Sequence, residues 1–167
     1  MKVFIEEQRF NQWWLFVLLT SPFFIVLFPF LFGQENINND NETFLGLTIS
    51  LVIMLIVIVL VLSIRLRTRI DEKGIYYQFF PLNLRQKFIS WSDVKGCYVR
   101  AYKPIREYGG WGFKTGFGRG HGKALNIRGN KGIQLEFKNG KKLLLGTQKE
   151  NDVGKILETY RDKINNF

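Results

Sequence analysis

The sequence has very little of the residue types on which most catalytic and metal sites depend. Its 167 residues include one cysteine, Cys97, and one histidine, His121. A single cysteine excludes an intramolecular disulfide and a C-x-x-C metal or redox motif. No serine lies near the histidine in sequence, and no carboxylate pair stands at metal-ligand spacing, so nucleophilic and acid–base chemistry lacks its parts. We therefore predict a protein that is not an enzyme, with no catalytic residues, metal or cofactor.

Charge is absent from two long apolar stretches. Residues 13–32 read WWLFVLLTSPFFIVLFPFLF and residues 44–64 read FLGLTISLVIMLIVIVLVLSI. Each stretch has the roughly 20 residues that a helix needs to cross a hydrocarbon core of about 30 Å. No small-x-small cleavage site precedes Gly33, which argues against a removed signal peptide. The sequence therefore predicts a transmembrane hairpin of two helices.

The flanking charges predict an orientation for this hairpin. The connector 33–43 has three acidic residues and no Lys or Arg, whereas three arginines follow the second stretch. Positive charge beside a span favours the cytoplasm. We therefore expect the segment 1–12 and the C-terminal part on the cytoplasmic side of the inner (plasma) membrane, and the connector outside. The residues expected at the membrane interface on the cytoplasmic side are Trp13, Trp14, Arg65, Arg67 and Arg69.

Neither apolar stretch contains an ionisable residue. Transport and proton-relay sites normally place charged side chains or histidine within the membrane. This absence favours an anchor over a transporter, although a small pore or transport subunit built from several hairpins stays open.

The C-terminal part, residues 65–167, has the size of one domain and is strongly basic. It holds 22 Lys and Arg against nine Asp and Glu, a formal net charge of +13. Basic residues close to a membrane are attracted to anionic lipid by about 1 kcal/mol each. The predicted partner is accordingly a lipid bilayer with anionic headgroups, and the membrane tether disfavours nucleic acid, the other usual partner of a basic domain.

Alternating apolar and polar residues in the C-terminal part predict antiparallel strands. The clearest case is residues 133–137 (IQLEF), which are followed by Asn139-Gly140, the favoured pair of a tight hairpin turn, and by residues 141–145. Similar runs bring the expected number of strands to about seven. One amphipathic helix should then end the chain, starting at a capping box of Thr147 and Glu150.

Seven antiparallel strands and a terminal helix resemble a known arrangement. The segments EYGGWG (107–112), GNKGIQL (129–135) and LLGTQK (144–149) are similar to those of small, largely uncharacterised bacterial membrane proteins that join two transmembrane helices to a bacterial PH-like domain. The resemblance implies a mainly-β PH-like barrel next to a membrane. It implies no reaction.

Residues 108–122 (YGGWGFKTGFGRGHG) are rich in glycine and support two interpretations. Glycine lets backbone amides approach an anion, so the stretch could cradle a phosphate or a headgroup. However, no G-K-[ST] follows the glycines. The alternative is a long connection whose aromatic rings pack on the barrel or touch the bilayer. The basic residues of the first interpretation are Lys114, Arg119 and Lys123, and the aromatic residues of the second are Trp111, Phe113 and Phe117.

The function predicted from these features is a membrane-anchored, non-enzymatic interaction module that binds a protein partner, or its own copies, at the inner leaflet. The alternative is a sensor of anionic lipid or of a phosphate ligand that uses the basic side chains of the glycine-rich stretch.

Overall fold

The computed structural model describes residues 2–10, 12–32, 41–116 and 122–165. The chain divides into two compact units. The sheet unit consists of Met1–Arg9 together with Ile64–Phe167, and the helical unit is Phe10–Ser63. The helical unit is thus inserted into the sequence of the sheet unit.

The helical unit contains two helices, α1 (Trp13–Phe32) and α2 (Asn41–Ser63). Most of the connector predicted between them, residues 33–40, lies outside the described residues. In the described part of α1, the Thr20 hydroxyl donates to the Phe16 carbonyl one turn earlier at 2.9 Å. This bond satisfies the one hydroxyl of Thr20 within an apolar helix.

No helix in the described part of the chain is long and apolar enough to cross a membrane. The predicted transmembrane hairpin is therefore wrong, and so are the two-sided topology and the inner-membrane location inferred from it.

The sheet unit is built from nine strands in its described residues. They are β1 (Phe4–Arg9), β2 (Arg65–Ile70), β3 (Gly74–Phe80), β4 (Lys87–Ser90), β5 (Val94–Ala101), β6 (Gly112–Thr115), β7 (Lys123–Asn126), β8 (Lys131–Phe137) and β9 (Lys142–Gly146). A 3₁₀ turn (Trp91–Asp93) precedes β5, and a short helix α3 (Pro104–Tyr108) follows it. The chain ends in α4 (Glu150–Thr159) and α5 (Arg161–Asn165).

The first sheet has the order β1-β2-β3-β4. Strand β1 pairs antiparallel with β2, so that Phe4 lies opposite Ile70 and Arg9 lies opposite Arg65. The chain therefore leaves this sheet at Arg9 and returns to it directly opposite. The sequence predicts a separate N-terminal segment here rather than a strand of the sheet. The strand is hard to recognise because it buries the polar side chains of Glu6 and Gln8 and exposes Ile5.

The second sheet has the order β5-β8-β9-β7-β6. The β8–β9 hairpin predicted around Asn139-Gly140 is confirmed, with Ile133 opposite Leu145. Strands β7 and β9 pair in parallel, however, with Lys123 beside Leu143. The described strands thus form two separate sheets, and one pair is parallel. The predicted closed PH-like barrel of about seven antiparallel strands is wrong, because local periodicity identifies strands but not their partners.

The C-terminal helix is interrupted at Tyr160. Its predicted apolar face is buried, and the buried residues are Val153, Ile156, Leu157, Tyr160 and Ile164. The predicted capping box is wrong, since α4 begins at Glu150 with Lys149 at its N-cap and no side-chain capping bond. Glu150 instead forms an ion pair with Lys131 at 2.7 Å.

Candidate functional site

A cleft of about 470 Å³ opens between β3 of the first sheet and the β6, β7, β8 and β9 strands of the second. Its wall and floor include Tyr77, Phe137 and Leu143, and its polar residues include Thr115, Lys123 and Lys141. We call it the lysine cleft. Concave sites of this size with mostly apolar walls and a few polar groups are the usual form of small-molecule sites.

The register of the second sheet explains why these side chains meet. Lys123 lies opposite Thr115 in the antiparallel pair of β6 and β7 and beside Leu143 in the parallel pair of β7 and β9. Neighbours in register point to the same face of a sheet. Thr115, Lys123 and Leu143 therefore form one row across three strands at the cleft.

The β8–β9 turn places the second lysine. The Gly140 amide donates to the Phe137 carbonyl at 3.0 Å, and the Lys141 amide donates to Asn139 Oδ1 at 3.0 Å. The Phe137 amide donates in turn to the Lys141 carbonyl at 2.9 Å. These bonds fix the backbone of Lys141 opposite that of Phe137 at the edge of the cleft.

Gly122 is the last residue of the glycine-rich stretch, and its backbone lies close to Lys142 of β9. Its φ is +71°, and a Cβ at this position would lie 2.2 Å from the Lys142 carbonyl oxygen. The Gly116 amide donates to the Gly122 carbonyl at 2.7 Å. Only glycine combines this backbone conformation with such a close approach. Gly122 therefore sets the border of the cleft next to Lys123.

Of the three lysines that line the cleft, one has a carboxylate partner among the described residues and two have none. Lys142 Nζ lies 2.9 Å from Glu136 Oε1, and this hydrogen bond lowers the pKa of Glu136 and raises that of Lys142. Lys123 and Lys141 are exposed, and neither ammonium group has an ion pair among the described residues. The cleft therefore carries two positive charges that no described carboxylate neutralises.

Tyr77 forms the wall of the cleft on the first sheet. It lies opposite Lys87 of β4. Partial burial raises the pKa of its phenol above the ordinary value of 10.0. At neutral pH the ring is therefore uncharged, and its hydroxyl is available as a hydrogen-bond donor.

The three basic residues predicted to bind an anion together are not all brought together. Lys114 lies opposite Ala124 and adjoins Thr115 in β6. Alternation along a strand points Lys114 to the sheet face opposite that of Thr115 and Lys123. Arg119 and Phe117 lie outside the described residues. Of the predicted set, Lys123 alone is placed at the cleft among the described residues.

The aromatic residues expected at a membrane interface have different environments. Trp111 Nε1 donates to the Gly129 carbonyl at 2.9 Å, so its indole is held against the β7–β8 connection. Phe113 on β6 is 46% exposed. Trp13 and Trp14 lie in the first turn of α1 with 77% and 42% of their surface exposed.

The arginines Arg65, Arg67 and Arg69 occupy alternate positions of β2 and so share one face of the first sheet. Arg67 Nε lies 2.5 Å from Glu7, and Arg69 Nη2 lies 3.0 Å from Asp71. The guanidinium of Arg65 lies over the ring of Phe80 at 5.0 Å. Each arginine is thus engaged within the sheet unit.

Sequence reasoning missed Tyr77, Phe137 and Lys141 as residues of the site. The signal for Lys141 was its place directly after Asn139-Gly140, which predicts a turn lysine on a hairpin. Tyr77 gave no such signal, because its approach to the cleft depends on how two sheets pack.

Within the described ranges, no three His, Cys, Asp or Glu side chains come together as metal ligands. No family model matches the chain, and no curated protein matches its sequence.

Proposed function

We propose that the sheet unit is a non-catalytic binding module that holds a phosphate-bearing small molecule in the lysine cleft. The observation that carries the proposal is the presence of two uncompensated lysines, Lys123 and Lys141, in one cleft of about 470 Å³ with aromatic walls. The proposal develops the phosphate-ligand alternative from the sequence.

The polar side of the cleft suits an anion with several acceptor oxygens. Lysine binds phosphate as a mobile point charge with three donors. The hydroxyl of Thr115, which neighbours Lys123 across the strand pair, can supply a further donor. Hydrogen bonds to charged groups contribute about 1.5–3 kcal/mol each.

The apolar side selects the rest of the ligand. Phe137, Leu143 and the ring of Tyr77 line the cleft together with the lysines. Such walls favour an aromatic or aliphatic group attached to the phosphate over inorganic phosphate alone, because burial of apolar surface adds affinity.

The binding of a protein partner, or of a second copy, stays a prediction. No feature of the described residues favours a particular chemistry for such a partner, whereas the two lysines of the cleft favour an anionic ligand. The small-pore hypothesis is not retained, since no described helix could cross a membrane.

Calorimetric titration of the full chain with phenyl phosphate, inorganic phosphate and phenol tests the proposal. We expect phenyl phosphate to bind most tightly and phenol least. The variants Lys123→Ala and Lys141→Ala should each weaken phenyl phosphate binding about tenfold, which corresponds to 1.4 kcal/mol.

The matched control is Lys155→Ala, which removes another exposed lysine from α4, outside the residues that line the cleft. It should leave the affinity unchanged, and thermal unfolding should show that all three variants fold. Equal affinities in the cleft variants and the control, or no binding of phenyl phosphate by the unmodified protein, would overturn the proposal.

A further inference from the structure

The β3–β4 connection presents two leucines to solvent. Leu82 is 62% exposed and Leu84 is 74% exposed. Arg85 and Lys87 follow them and are also exposed. Apolar side chains that project together from a surface, beside basic residues, commonly mark an interaction site.

The backbone of this connection is held in place. The Asn83 amide donates to the Phe79 carbonyl at 2.8 Å, and Gln78 Nε2 donates to the Leu84 carbonyl at 2.7 Å. These bonds tie the turn to β3 at Asn83 and Leu84, the two residues that follow Leu82. The leucines are therefore presented by a fixed turn, and their ordering costs little when they bind.

The adjoining end of the first sheet adds positive charge. Phe80, next to the turn, lies opposite Arg65, whose guanidinium is 5.0 Å from the ring centre. Arg9 lies opposite Arg65 on the other side and pairs with Glu7 at 2.6 Å. We define the leucine–arginine rim as Arg9, Arg65, Phe80, Leu82, Leu84 and Arg85.

From this arrangement we infer that the leucine–arginine rim docks on the surface of an anionic phospholipid bilayer, with Leu82 and Leu84 among the headgroups. Such a surface offers negative charge with apolar material a few ångströms beneath it. The rim offers the complement, namely arginines around a turn whose apolar side chains project outward. Surface docking needs no helix that crosses the bilayer.

The rim fits the other occupants of a basic surface less well. Single-stranded nucleic acid binds mainly by stacking its bases on free aromatic faces. The one aromatic ring of the rim, Phe80, is already covered by Arg65. A protein partner would require a contact area larger than one turn provides.

Cosedimentation of the full chain with two kinds of vesicle tests the inference. One kind contains phosphatidylcholine alone, and the other also contains phosphatidylserine. We expect binding to the anionic vesicles to be at least about tenfold stronger and to fall with salt. The double variant Leu82→Ser, Leu84→Ser should lose at least about tenfold of this binding.

The control is Ile5→Ser, which removes an apolar side chain of similar exposure, 65%, from β1. It should leave binding unchanged. Unchanged binding by the leucine variant, or equal binding to both kinds of vesicle, would overturn the inference. The inference would also be overturned if the unmodified protein bound a single-stranded oligonucleotide but not anionic vesicles, and the leucine variant lost the oligonucleotide binding.

A depth measurement gives a second readout. The protein has four tryptophans of its own, so quenching in each variant is compared with that in the unmodified protein. Brominated anionic lipid should quench additional emission in Leu84→Trp but not in Ile5→Trp. Equal quenching at the two positions would contradict docking through the rim.

Discussion

The carboxylate of Glu6 accepts a hydrogen bond of 2.6 Å from the Thr147 hydroxyl, although 141 residues separate the two in sequence. Its other oxygen accepts a bond of 2.7 Å from the Gln148 amide. Glu6 is 4% exposed. This carboxylate joins the N-terminal strand to the segment that leads from β9 into α4.

We expect Glu6→Ala to lower the free energy of unfolding by about 1–3 kcal/mol, because the buried Thr147 hydroxyl and the partly buried Gln148 amide lose their acceptor. Denaturation in urea measures the change. Glu72→Ala, which removes an exposed carboxylate with no ion pair among the described residues, is the control and should change stability by less than about 0.5 kcal/mol. Equal effects of the two substitutions would contradict the assigned role of Glu6.

The ion pairs of Glu7 predict a dependence of stability on pH. The Arg67 guanidinium, and then that of Arg9, hold the pKa of Glu7 below its ordinary value of 4.5. A lowered carboxyl pKa contributes stability above pH 4.5, and this contribution is lost as the pH falls through the pKa of the folded protein. The side chain is 30% exposed, so the contribution is about 0–1 kcal/mol.

We therefore expect the stability of Glu7→Gln to fall less steeply than that of the unmodified protein below pH 4.5. Unfolding midpoints measured at a series of pH values test this, with Glu72→Gln as the control. Parallel curves for Glu7→Gln and the unmodified protein would show that the ion pairs contribute nothing.

Gly122 and Gly140 form a matched pair of substitutions at the lysine cleft. Both have positive φ, +71° and +79°, but a Cβ at Gly140 would meet no atom within 4 Å. We expect Gly140→Ala to cost about 1–2 kcal/mol from backbone strain alone. Gly122→Ala should cost about 2–4 kcal/mol, because the methyl group also meets the Lys142 carbonyl. Chemical denaturation measures both, and equal losses would refute the close approach of Gly122 to β9.

Cys97 should react slowly with alkylating reagents. It lies on β5 and lines a cavity together with Leu157 of α4, and burial raises the pKa of its thiol. The thiolate is the reactive form, so we expect iodoacetamide to modify the folded protein more than about tenfold more slowly than the unfolded protein at pH 8. Mass spectrometry of timed samples measures the two rates. Similar rates would show that solvent reaches the thiol in the folded protein.

The parts of the fold that sequence could predict are those set by neighbours along the chain. The β8–β9 hairpin depends on alternation in residues 133–137 and on the Asn139-Gly140 turn, and both are local. The apolar face of α4 likewise follows from helical spacing. Local turn and helix signals were therefore sufficient to predict the β8–β9 hairpin and the apolar face of α4.

Strand β1 could not be predicted in the same way. Its buried side chains include Glu6 and Gln8, which are tolerated because distant groups accept or donate hydrogen bonds there. The parallel pairing of β7 with β9 is likewise a long-range feature. For the site, Lys123 was accessible to sequence reasoning as part of a basic, glycine-rich stretch. Lys141 and Tyr77 join it through pairings between strands and between sheets.

The most direct test of the lysine cleft is a titration of the ¹⁵N-labelled protein with phenyl phosphate, followed by amide chemical shifts. The account predicts the largest shift changes at Thr115, at Gly122 and Lys123, and in residues 140–143, with much smaller changes in the same residues of the Lys123→Ala, Lys141→Ala double variant. Shift changes centred on the arginines of β2, or no saturable change at all, would contradict it.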